Sequence, residues 1–185
     1  PEKFNVEMDI NGWVNARELS EAIGKQRRHY HWLRAWHFEA ISNADDKGRY
    51  QVENGMIRAT YAHSIEIDLD LPTDDIPEGL YFPCSPDDVA TLLEFGLTAG
   101  DRKNVHLSRT IPNAMEAGHV HIHRPAILEV DTSRAIADGH TIYRAGKTVF
   151  LTDEVPGEYL YQVEADDPLL LEIVAQWEQE EAEEE

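Results

Sequence analysis

Apolar residues recur at helical spacing in the first forty residues and predict two helices. The first is expected to be capped by Asn15, which stands three residues before Glu18 as in a capping box, and to end at Gly24. Its apolar face consists of Leu19, Ala22 and Ile23. The second is expected to run from about His31 to Ser42. Its apolar face consists of Trp32, Trp36 and Ala40.

A β-hairpin is predicted directly after these helices. Two strand-like segments, Tyr50–Val52 and Met56–Thr60, flank Asn54-Gly55, and an Asn-Gly pair between such segments is a strong hairpin signal. Asp45–Gly48 is expected to form a turn before the first strand. Two helices followed by a hairpin is the element order of a small winged-helix lobe.

The segment Asp68–Gly79 is rich in proline and aspartate and is expected to be a linker. Short strands alternate with helices beyond it. The strand candidates are Leu80–Phe82, Asn104–Ser108, Ala126–Val130, Thr141–Tyr143 and Val149–Thr152. One helix is expected to begin after Ser85 and to end near Gly96. A last helix is expected from Leu169 to about Trp177, capped by Asp167-Pro168.

These elements predict an α+β fold with two lobes. The predicted boundaries are residues 1–70 for the first lobe, 77–163 for the second, and 164–185 for an acidic C-terminal helical extension. A chain of 185 residues is long enough for two lobes that each bury a core.

Charge is distributed unevenly along the chain. The 36 acidic and 16 basic residues give a formal net charge of −20 at pH 7. Residues 148–185 hold 13 of the acids and no Lys or Arg, and 11 of the 16 bases are Arg. A surface of this kind suits solubility in high salt, although an acidic tail on an ordinary protein explains it as well. The bulk charge argues against a wide nucleic-acid footprint, but it permits a few arginines to bind one phosphate.

Composition excludes several classes of protein. With 42% hydrophobic residues and a mean hydropathy of −0.50, the chain has the composition of a soluble globular protein. No apolar run approaches the roughly 20 residues that a transmembrane helix needs. Cys84 is the only cysteine and cannot form an internal disulfide, so the cytoplasm is the expected compartment.

The segment Asp101–Ser108 carries the densest group of chemically useful side chains. If it forms a strand, the two-residue period places Asn104, His106 and Ser108 on one face, where they could hydrogen-bond a ligand. Arg102, just before that strand, has the planar fork that binds phosphate bidentately. A single histidine on a strand more often has a structural role.

Two basic positions in the first lobe are weaker candidates. Arg49 opens the predicted hairpin and is either a ligand-binding residue or a solvated cation in a turn. Arg27-Arg28-His29 either contacts a phosphate backbone or is a solvated helix start. His63-Ser64 could face a ligand cleft.

Two further features carry less chemistry. His119, His121 and His123 alternate as if on one strand face, which would suit a transition metal. No Cys or carboxylate lies close by in the sequence to complete such a site, so no metal is predicted. Cys84 lacks the sequence signature of a catalytic nucleophile.

Six sequence blocks, taken in order, resemble the RNA 2′-phosphotransferases. The resemblance covers about residues 1–160. The blocks are Asn11–Val14, Asp46–Tyr50, Ile57–Ala59 with His63-Ser64, Arg102–Ser108, Ile127–Asp131, and Tyr143–Ala145 with Val149–Thr152. One block alone is weak evidence, whereas six in the right order are specific.

The resemblance implies a fold and a reaction. It implies an N-terminal winged-helix lobe that binds RNA and a second lobe of ADP-ribosyltransferase type that binds NAD. Enzymes of this family remove an internal 2′-phosphate from RNA. The phosphate attacks C1″ of the nicotinamide ribose, nicotinamide leaves, and the ribose O2″ then attacks the phosphorus. The products are RNA with a free 2′-OH and ADP-ribose 1″,2″-cyclic phosphate.

The resemblance also implies roles for individual residues. Arg49 and Arg102 match family arginines that clamp the 2′-phosphate, and both are expected to be catalytic. His106, Ser108 and Asn104 lie in the block that lines the NAD site and are expected to bind the cofactor. Asn104 stands where the family has a histidine, and Tyr81–Cys84 replaces its His-Gly-Thr. A further Arg-His pair of the family belongs upstream of Pro1.

The expected partners are NAD and an RNA that bears a 2′-phosphate, of which a tRNA is one example. The protein is expected to be a monomer without a membrane or metal partner. The sequence leaves two alternative functions open. One is an RNA- or nucleotide-binding relative with impaired catalysis, and the other is a transferase that stops at the ADP-ribosylated phosphate.

Overall fold

Two structural units divide the chain between them. The computed structural model describes residues 2–63, 65–100 and 102–184. The first unit runs to Pro72 and also takes in Ala145–Lys147, a short segment far away in the sequence. The second unit comprises Thr73–Arg144 and the chain from Thr148 onward.

A three-stranded antiparallel sheet and two α-helices form the first unit. Strand β3 lies between β1 and β2 in this sheet. The elements are β1 Val14–Asn15, α1 Ala16–Gln26, α2 Ala35–Ala44, β2 Tyr50–Glu53 and β3 Met56–Ala59, with 3-10 helices at Glu2–Phe4 and Arg28–Tyr30.

The predicted N-terminus of α1 is confirmed. The Asn15 side chain accepts hydrogen bonds from the backbone N–H groups of Arg17 and Glu18 at 3.0 and 3.1 Å. The predicted end at Gly24 is wrong, because α1 continues to Gln26. Gly24 does not take the positive φ with which a glycine normally closes a helix.

The second helix begins later than predicted, at Ala35 instead of His31. Arg34 precedes it in an extended conformation, and its Nη1 donates to the carbonyl oxygens of His31 and Leu33 at 2.8 and 2.7 Å. These bonds stabilise a non-helical backbone just before α2. The predicted tryptophan face is also not the buried one, since Phe38 is the buried residue of α2.

The predicted hairpin is confirmed. Val52 pairs with Ile57 and Glu53 with Met56 across the turn. Asn54 and Gly55 have φ values of 49° and 77°, the left-handed conformation that a two-residue type I′ turn needs at both positions. The core of the first unit is formed by Ala16, Phe38 and Ile57.

A six-stranded antiparallel sheet organises the second unit. Its strand order is β11-β7-β4-β6-β9-β8, and β5 pairs separately with β10. The strands are β4 Gly79–Cys84, β5 Leu97–Thr98, β6 Val105–Ser108, β7 Ala126–Asp131, β8 Tyr143–Arg144, β9 Val149–Thr152, β10 Glu154–Val155 and β11 Leu160–Gln162.

Helices of the second unit pack on its sheet. They are α3 Val89–Phe95, α4 Ile111–His119, α5 Thr132–Ala137 and α6 Pro168–Glu184, with 3-10 helices at Pro86–Asp88 and Gly157–Tyr159. Alternation along β7 produces two cores, because Leu128 and Val130 join the larger cluster around Phe150, whereas Ile127 packs with Met115 and Leu170.

The linker and the predicted second-unit elements are present, with three differences in extent, whereas α4, α5, β5, β10 and β11 were not predicted. Strand β6 begins at Val105, because Asn104 lies before it and donates a side-chain hydrogen bond to Asp153. Strand β8 is Tyr143–Arg144 and not Thr141–Tyr143. Ile142 precedes it in the core, and the Thr141 carbonyl accepts a hydrogen bond from the Thr152 hydroxyl at 2.9 Å. Helix α6 does not end near Trp177 but extends to Glu184.

Helix α6 packs against α4 through apolar side chains. Leu170 is 7% exposed and joins Ala114 and Met115 of α4 in one cluster. The Trp177 ring stacks on the ring of His119 at a centroid distance of 3.8 Å. Arg124 and Glu178 add an ion pair. The first half of this acidic helix is therefore part of the folded unit.

The α+β fold class is confirmed by this mixture of sheets and helices. The more detailed identification of a winged-helix lobe and an ADP-ribosyltransferase-like lobe stays a prediction. None of the helices in the described part of the chain has the length and apolar content to cross a membrane.

Docking of α6 can be tested with two neighbouring leucines. We expect Leu170→Ala to lower the free energy of unfolding by about 2 to 5 kcal/mol, because it opens a cavity in a packed cluster. Leu171, which is 54% exposed, is the matched control, and Leu171→Ala should change stability by no more than about 0.5 kcal/mol. Urea titrations measure both values. Equal effects of the two substitutions would contradict the docking of α6.

Candidate active site

Arg49 lies in a loop between α2 and β2 and is bound by a buried carboxylate. The Asp45 side chain is 2% exposed, and its Oδ1 accepts a hydrogen bond from Arg49 Nε at 2.9 Å and lies 2.8 Å from Arg49 Nη2. Its Oδ2 accepts the backbone N–H of Arg49. The same carboxylate therefore fixes the backbone and the guanidinium of Arg49.

The segment 145–147 supports this loop from a distant part of the sequence. Lys147 donates its backbone N–H to the Lys47 carbonyl at 3.2 Å and its Nζ to the Asp45 carbonyl at 3.1 Å. Gly48 has a φ of +66°, and a Cβ there would lie 3.0 Å from the backbone nitrogen of Lys147. A glycine is thus required both by the backbone conformation and by the close approach.

Thr60, which directly follows β3 of the hairpin, forms two hydrogen bonds with the loop that contains Arg49. Its backbone N–H donates to the Arg49 carbonyl at 3.0 Å, and its hydroxyl donates to the Gly48 carbonyl at 2.7 Å. Together with the Lys147 bonds, these contacts leave the backbone around Arg49 little freedom.

The electrostatics of the pair keep both groups charged. The side-chain hydrogen bond from Arg49 lowers the pKa of Asp45 below its usual value, although burial works in the opposite direction. The same bond raises the pKa of Arg49. The Arg49 side chain is 54% exposed. A guanidinium carries five N–H donors, so those that Asp45 does not engage can bind an oxyanion.

Arg58 and His63 form a second, more buried group in the first unit. Arg58 is 7% exposed, donates to Gln51 at 2.9 Å, pairs with Asp70 and lies 4.4 Å from the centroid of the Trp13 ring. Arg58 therefore has a structural role. Burial, and secondarily the charge of Arg58, lower the pKa of His63. The other half of the predicted pair, Ser64, lies outside the described residues.

In the second unit, β6 carries the residues predicted to bind a cofactor. His106 and Ser108 alternate with the buried Val105 and Leu107, which are 3% and 1% exposed. The His106 ring Nδ1 lies 2.9 Å from the carbonyl oxygen of Asn104. This contact links the strand to the residue that precedes it.

Asn104 and Ser108 differ in whether their side chains form hydrogen bonds with other residues of the protein. Asn104 Nδ2 donates to Asp153 at 3.1 Å. The Ser108 side chain is on a residue only 8% exposed, and its hydroxyl has no hydrogen bond to any described residue. A hydroxyl both donates and accepts, so Ser108 is suited to a ligand with sugar or amide groups.

Arg102 lies in an exposed bend just before β6. Within the described ranges its guanidinium makes no ion pair or side-chain hydrogen bond. Arg102 therefore differs from Arg49, whose guanidinium is fixed by a carboxylate. Arg49 belongs to the first unit and Arg102 to the second.

The alternating histidines do not lie on a strand face. His119 is the last residue of α4, and His121 and His123 follow in a turn and a bend. His119 is instead engaged by Trp177 and by a 3.0 Å contact of its Nδ1 with the His123 carbonyl. Among the described residues, no group of three or more His, Cys, Asp or Glu side chains could hold a metal ion.

Cys84 lies in the core at the end of β4. It is 5% exposed, and burial raises the pKa of its thiol to about 11. A thiol in these surroundings stays protonated at neutral pH and is a poor nucleophile.

Comparison with known proteins identifies a family. A family model described as RNA 2′-phosphotransferase, Tpt1 / KptA family, matches residues 1–154. A protein of Methanosarcina barkeri named probable RNA 2′-phosphotransferase is 38% identical over 164 residues, which cover 89% of this chain and 77% of the relative.

More distant relatives carry the same name. A probable RNA 2′-phosphotransferase of Thermoplasma acidophilum is 35% identical over 173 residues, which cover 93% of this chain and 73% of the relative. One from Aeropyrum pernix is 31% identical over 163 residues, covering 88% of this chain and 73% of the relative.

Sequence reasoning missed the residues that position Arg49. Asp45 was predicted only as part of a turn, although a carboxylate four residues before an arginine was a usable signal for their pairing. Lys147 gave no such signal, because its contacts with Asp45 and Lys47 join positions about a hundred residues apart in the chain.

The role of Asp45 predicts a pH-dependent stability. Asp45→Asn should lower the free energy of unfolding at pH 7 by about 1 to 3 kcal/mol, because the half-exposed Arg49 guanidinium loses the charge of its buried acceptor. The Asp45 pKa is lowered in the fold, so this contribution is complete above the usual value of 3.8 and disappears as the pH falls through the lowered pKa. Urea titrations at several pH values should show the gap between wild type and variant closing in acid.

Asp46→Asn is the matched control, because Asp46 is the exposed neighbour of the buried Asp45. It should leave the stability at pH 7 nearly unchanged. If Asp45→Asn also has no effect at pH 7, the carboxylate does not stabilise the loop.

The buried thiol can be tested by alkylation. With a pKa of about 11, about one Cys84 in a thousand is a thiolate at pH 8. Iodoacetamide should therefore modify the folded protein at least about a hundred times more slowly than the urea-unfolded protein, as followed by mass spectrometry. Equal rates in the two states would show that Cys84 is accessible and reactive.

Proposed function

Since the chain belongs to the RNA 2′-phosphotransferase family, we propose that it removes an internal 2′-phosphate from RNA by transferring it to NAD. The observation that carries this proposal is the fixed guanidinium of Arg49, which Asp45 orients while half of the side chain stays exposed. An arginine that is fixed in this way suits a phosphate dianion better than a freely moving arginine does, because less conformational entropy is lost on binding.

Arg49 and Arg102 are proposed to bind the 2′-phosphate. Two guanidinium groups neutralise the dianion and hold its oxygens in place, which supports both the attack by the phosphate and the later displacement at phosphorus. This binding does not require a basic protein surface. It is therefore compatible with a net charge of −20.

His106, Ser108 and Asn104 are proposed to hold NAD. NAD supplies the electrophilic C1″ carbon and the neighbouring ribose hydroxyl that finally accepts the phosphorus. The Ser108 hydroxyl supports a fit for this cofactor, since no described residue hydrogen-bonds it and a ribose or carboxamide would. The His106 ring, held at Nδ1 by the Asn104 carbonyl, is proposed to keep a fixed orientation toward the ligand.

The division into two units supports the assignment of a different ligand to each unit. The first unit, with its two helices and hairpin, is proposed to bind RNA, and the second, with the β6 residues, to bind NAD. The proposed products are RNA with a free 2′-OH, ADP-ribose 1″,2″-cyclic phosphate and nicotinamide.

Substitution of each arginine tests the proposal. In the full-length protein, Arg49→Ala and Arg102→Ala should each lower phosphate removal at least about a hundredfold, the usual loss when one donor to a developing charge is removed. The assay uses NAD and an oligonucleotide with a single internal 2′-phosphate, at low and at molar salt. Lysine at either position should restore only part of the activity, because it lacks the bidentate fork.

Arg124→Ala is the control, because Arg124 is an exposed arginine whose partner is Glu178 of α6. It should retain full activity. Undiminished phosphate removal by both Arg49→Ala and Arg102→Ala would overturn the assignment of these arginines. A stable ADP-ribosylated RNA as the end product of the wild-type protein would instead indicate a transferase that stops after the first step.

A further inference from the structure

A group of aromatic rings is exposed on the first unit, in the segment that leads into α2. Tyr30, Trp32 and Trp36 are 37%, 50% and 60% exposed. Large exposed aromatic side chains that lie together on a surface indicate a binding site, whereas single ones do not. We call this group the aromatic patch, and its members are His29, Tyr30, Trp32, Trp36 and His37.

The rings of the aromatic patch support one another. The Trp36 and His37 rings are stacked, with centroids 3.6 Å apart and planes 25° apart. Trp32 meets His37 edge to face at 5.0 Å, and Tyr30 meets Trp32 in the same way at 6.2 Å. His29 completes the series at 4.0 Å from Tyr30. Each exposed ring is thus held in a defined orientation by a neighbour.

The surrounding sequence is basic and free of acids. Residues 22–38 contain Lys25, Arg27, Arg28 and Arg34 and no Asp or Glu. With 36 acids in 185 residues, about one residue in five is acidic, and no other stretch of the chain is as long without one. The exclusion of acids from this part of a strongly acidic chain points to an anionic partner.

An open groove of about 990 Å³ adjoins the patch in the first unit. Trp36, His31 and Arg34 line it together with Gly24 and Lys25 of α1. Two acids, Glu21 and Glu39, also line it, and Arg17 pairs with Glu21 at 3.1 Å. The groove is at the upper end of the size range of ligand pockets.

Arg34 is held at this groove by the backbone. Its Nη1 donates to the His31 and Leu33 carbonyls, and these two bonds fix the guanidinium in the groove wall. Trp36, two residues further along the chain, lines the same groove. An exposed aromatic face next to a fixed arginine is the combination with which proteins bind single-stranded nucleic acid, by stacking on a base and contacting a phosphate.

We propose that the aromatic patch and Arg34 bind single-stranded RNA, with unpaired bases stacking on Trp36 and Trp32. This inference rests on the proposed function, because it assigns the patch to nucleotides that flank the 2′-phosphate in the substrate. It adds a preference for unpaired RNA, since bases inside a duplex are stacked on each other and cannot reach a ring.

Charge and ring geometry favour RNA over a protein as the occupant. An acidic peptide would form ion pairs with the basic residues, but its carboxylates would not stack on a series of fixed, exposed ring faces. Every RNA base offers a π-face to such rings, and every nucleotide adds a phosphate for Lys25, Arg27, Arg28 or Arg34.

Binding of an RNA without a 2′-phosphate tests the proposal independently of catalysis. The probe is a fluorescent single strand of about twelve nucleotides, within the usual site size for such surfaces, together with a duplex of the same length. Fluorescence anisotropy of the full-length protein should show tighter binding of the single strand. Trp36→Ala should weaken that binding at least about fivefold, and Trp36→Phe should restore most of it. Arg34→Ala should weaken binding and lower its dependence on salt.

Phe95→Ala is the matched control, because Phe95 is an aromatic residue 72% exposed in the second unit. It should bind the single strand like wild type, and circular dichroism should confirm that all variants fold. Unchanged affinity in Trp36→Ala, or equal affinity for single strand and duplex, would overturn the proposal. So would a variant that alters only self-association in sedimentation, because this outcome would make the patch a protein interface.

A comparison of the kinetics of two substrates distinguishes a failure of this inference from a failure of the proposed function. Trp36→Ala should raise KM for a long single-stranded substrate at least about fivefold more than it raises KM for a minimal dinucleotide that carries the 2′-phosphate. If the protein transfers no phosphate from either substrate, the proposed function fails. The anisotropy result still decides the role of the patch in that case.

Discussion

The geometry around Arg49 depends on one buried carboxylate. Asp45 binds the backbone N–H and the guanidinium of the same arginine, and Lys147 and Thr60 fix the backbone on either side. An arginine in a solvated turn would sample many rotamers and lose that freedom when it bound a phosphate. Here the folded loop has already restricted it. The second contribution of Asp45 is electrostatic, because its charge balances a cation that must stay partly exposed.

A strongly acidic chain that binds an anionic substrate has to concentrate its positive charge. The acids are densest after Thr148, where 13 of them occur without a base, whereas residues 22–38 carry four bases and no acid. Long-range attraction of RNA by the whole protein is therefore weak. The proposed RNA recognition therefore depends on short-range contacts, in which arginines bind phosphate oxygens and exposed rings stack on bases.

The sequence predicted those elements whose signals are local. The Asn15 cap and the Asn54-Gly55 turn each depend on neighbouring residues, and both formed as expected. Helix α4 was missed although Thr110 caps it and Pro112 lies in its first turn. Helical spacing of Trp32 and Trp36 was visible, but periodicity cannot distinguish an apolar face that is buried from one that binds a ligand. The Lys147 contacts join residues far apart in sequence and left no local pattern.

Following the phosphorus atom from substrate to product is the sharpest test of NAD-dependent phosphate removal by this protein. A ³¹P NMR time course would follow an RNA oligonucleotide with one internal 2′-phosphate, mixed with the full-length protein and NAD. We expect the phosphomonoester signal to be replaced by that of a cyclic phosphate on ADP-ribose, with one nicotinamide released per phosphate and no change when NAD is omitted. Appearance of inorganic phosphate, or loss of the 2′-phosphate without NAD, would contradict it.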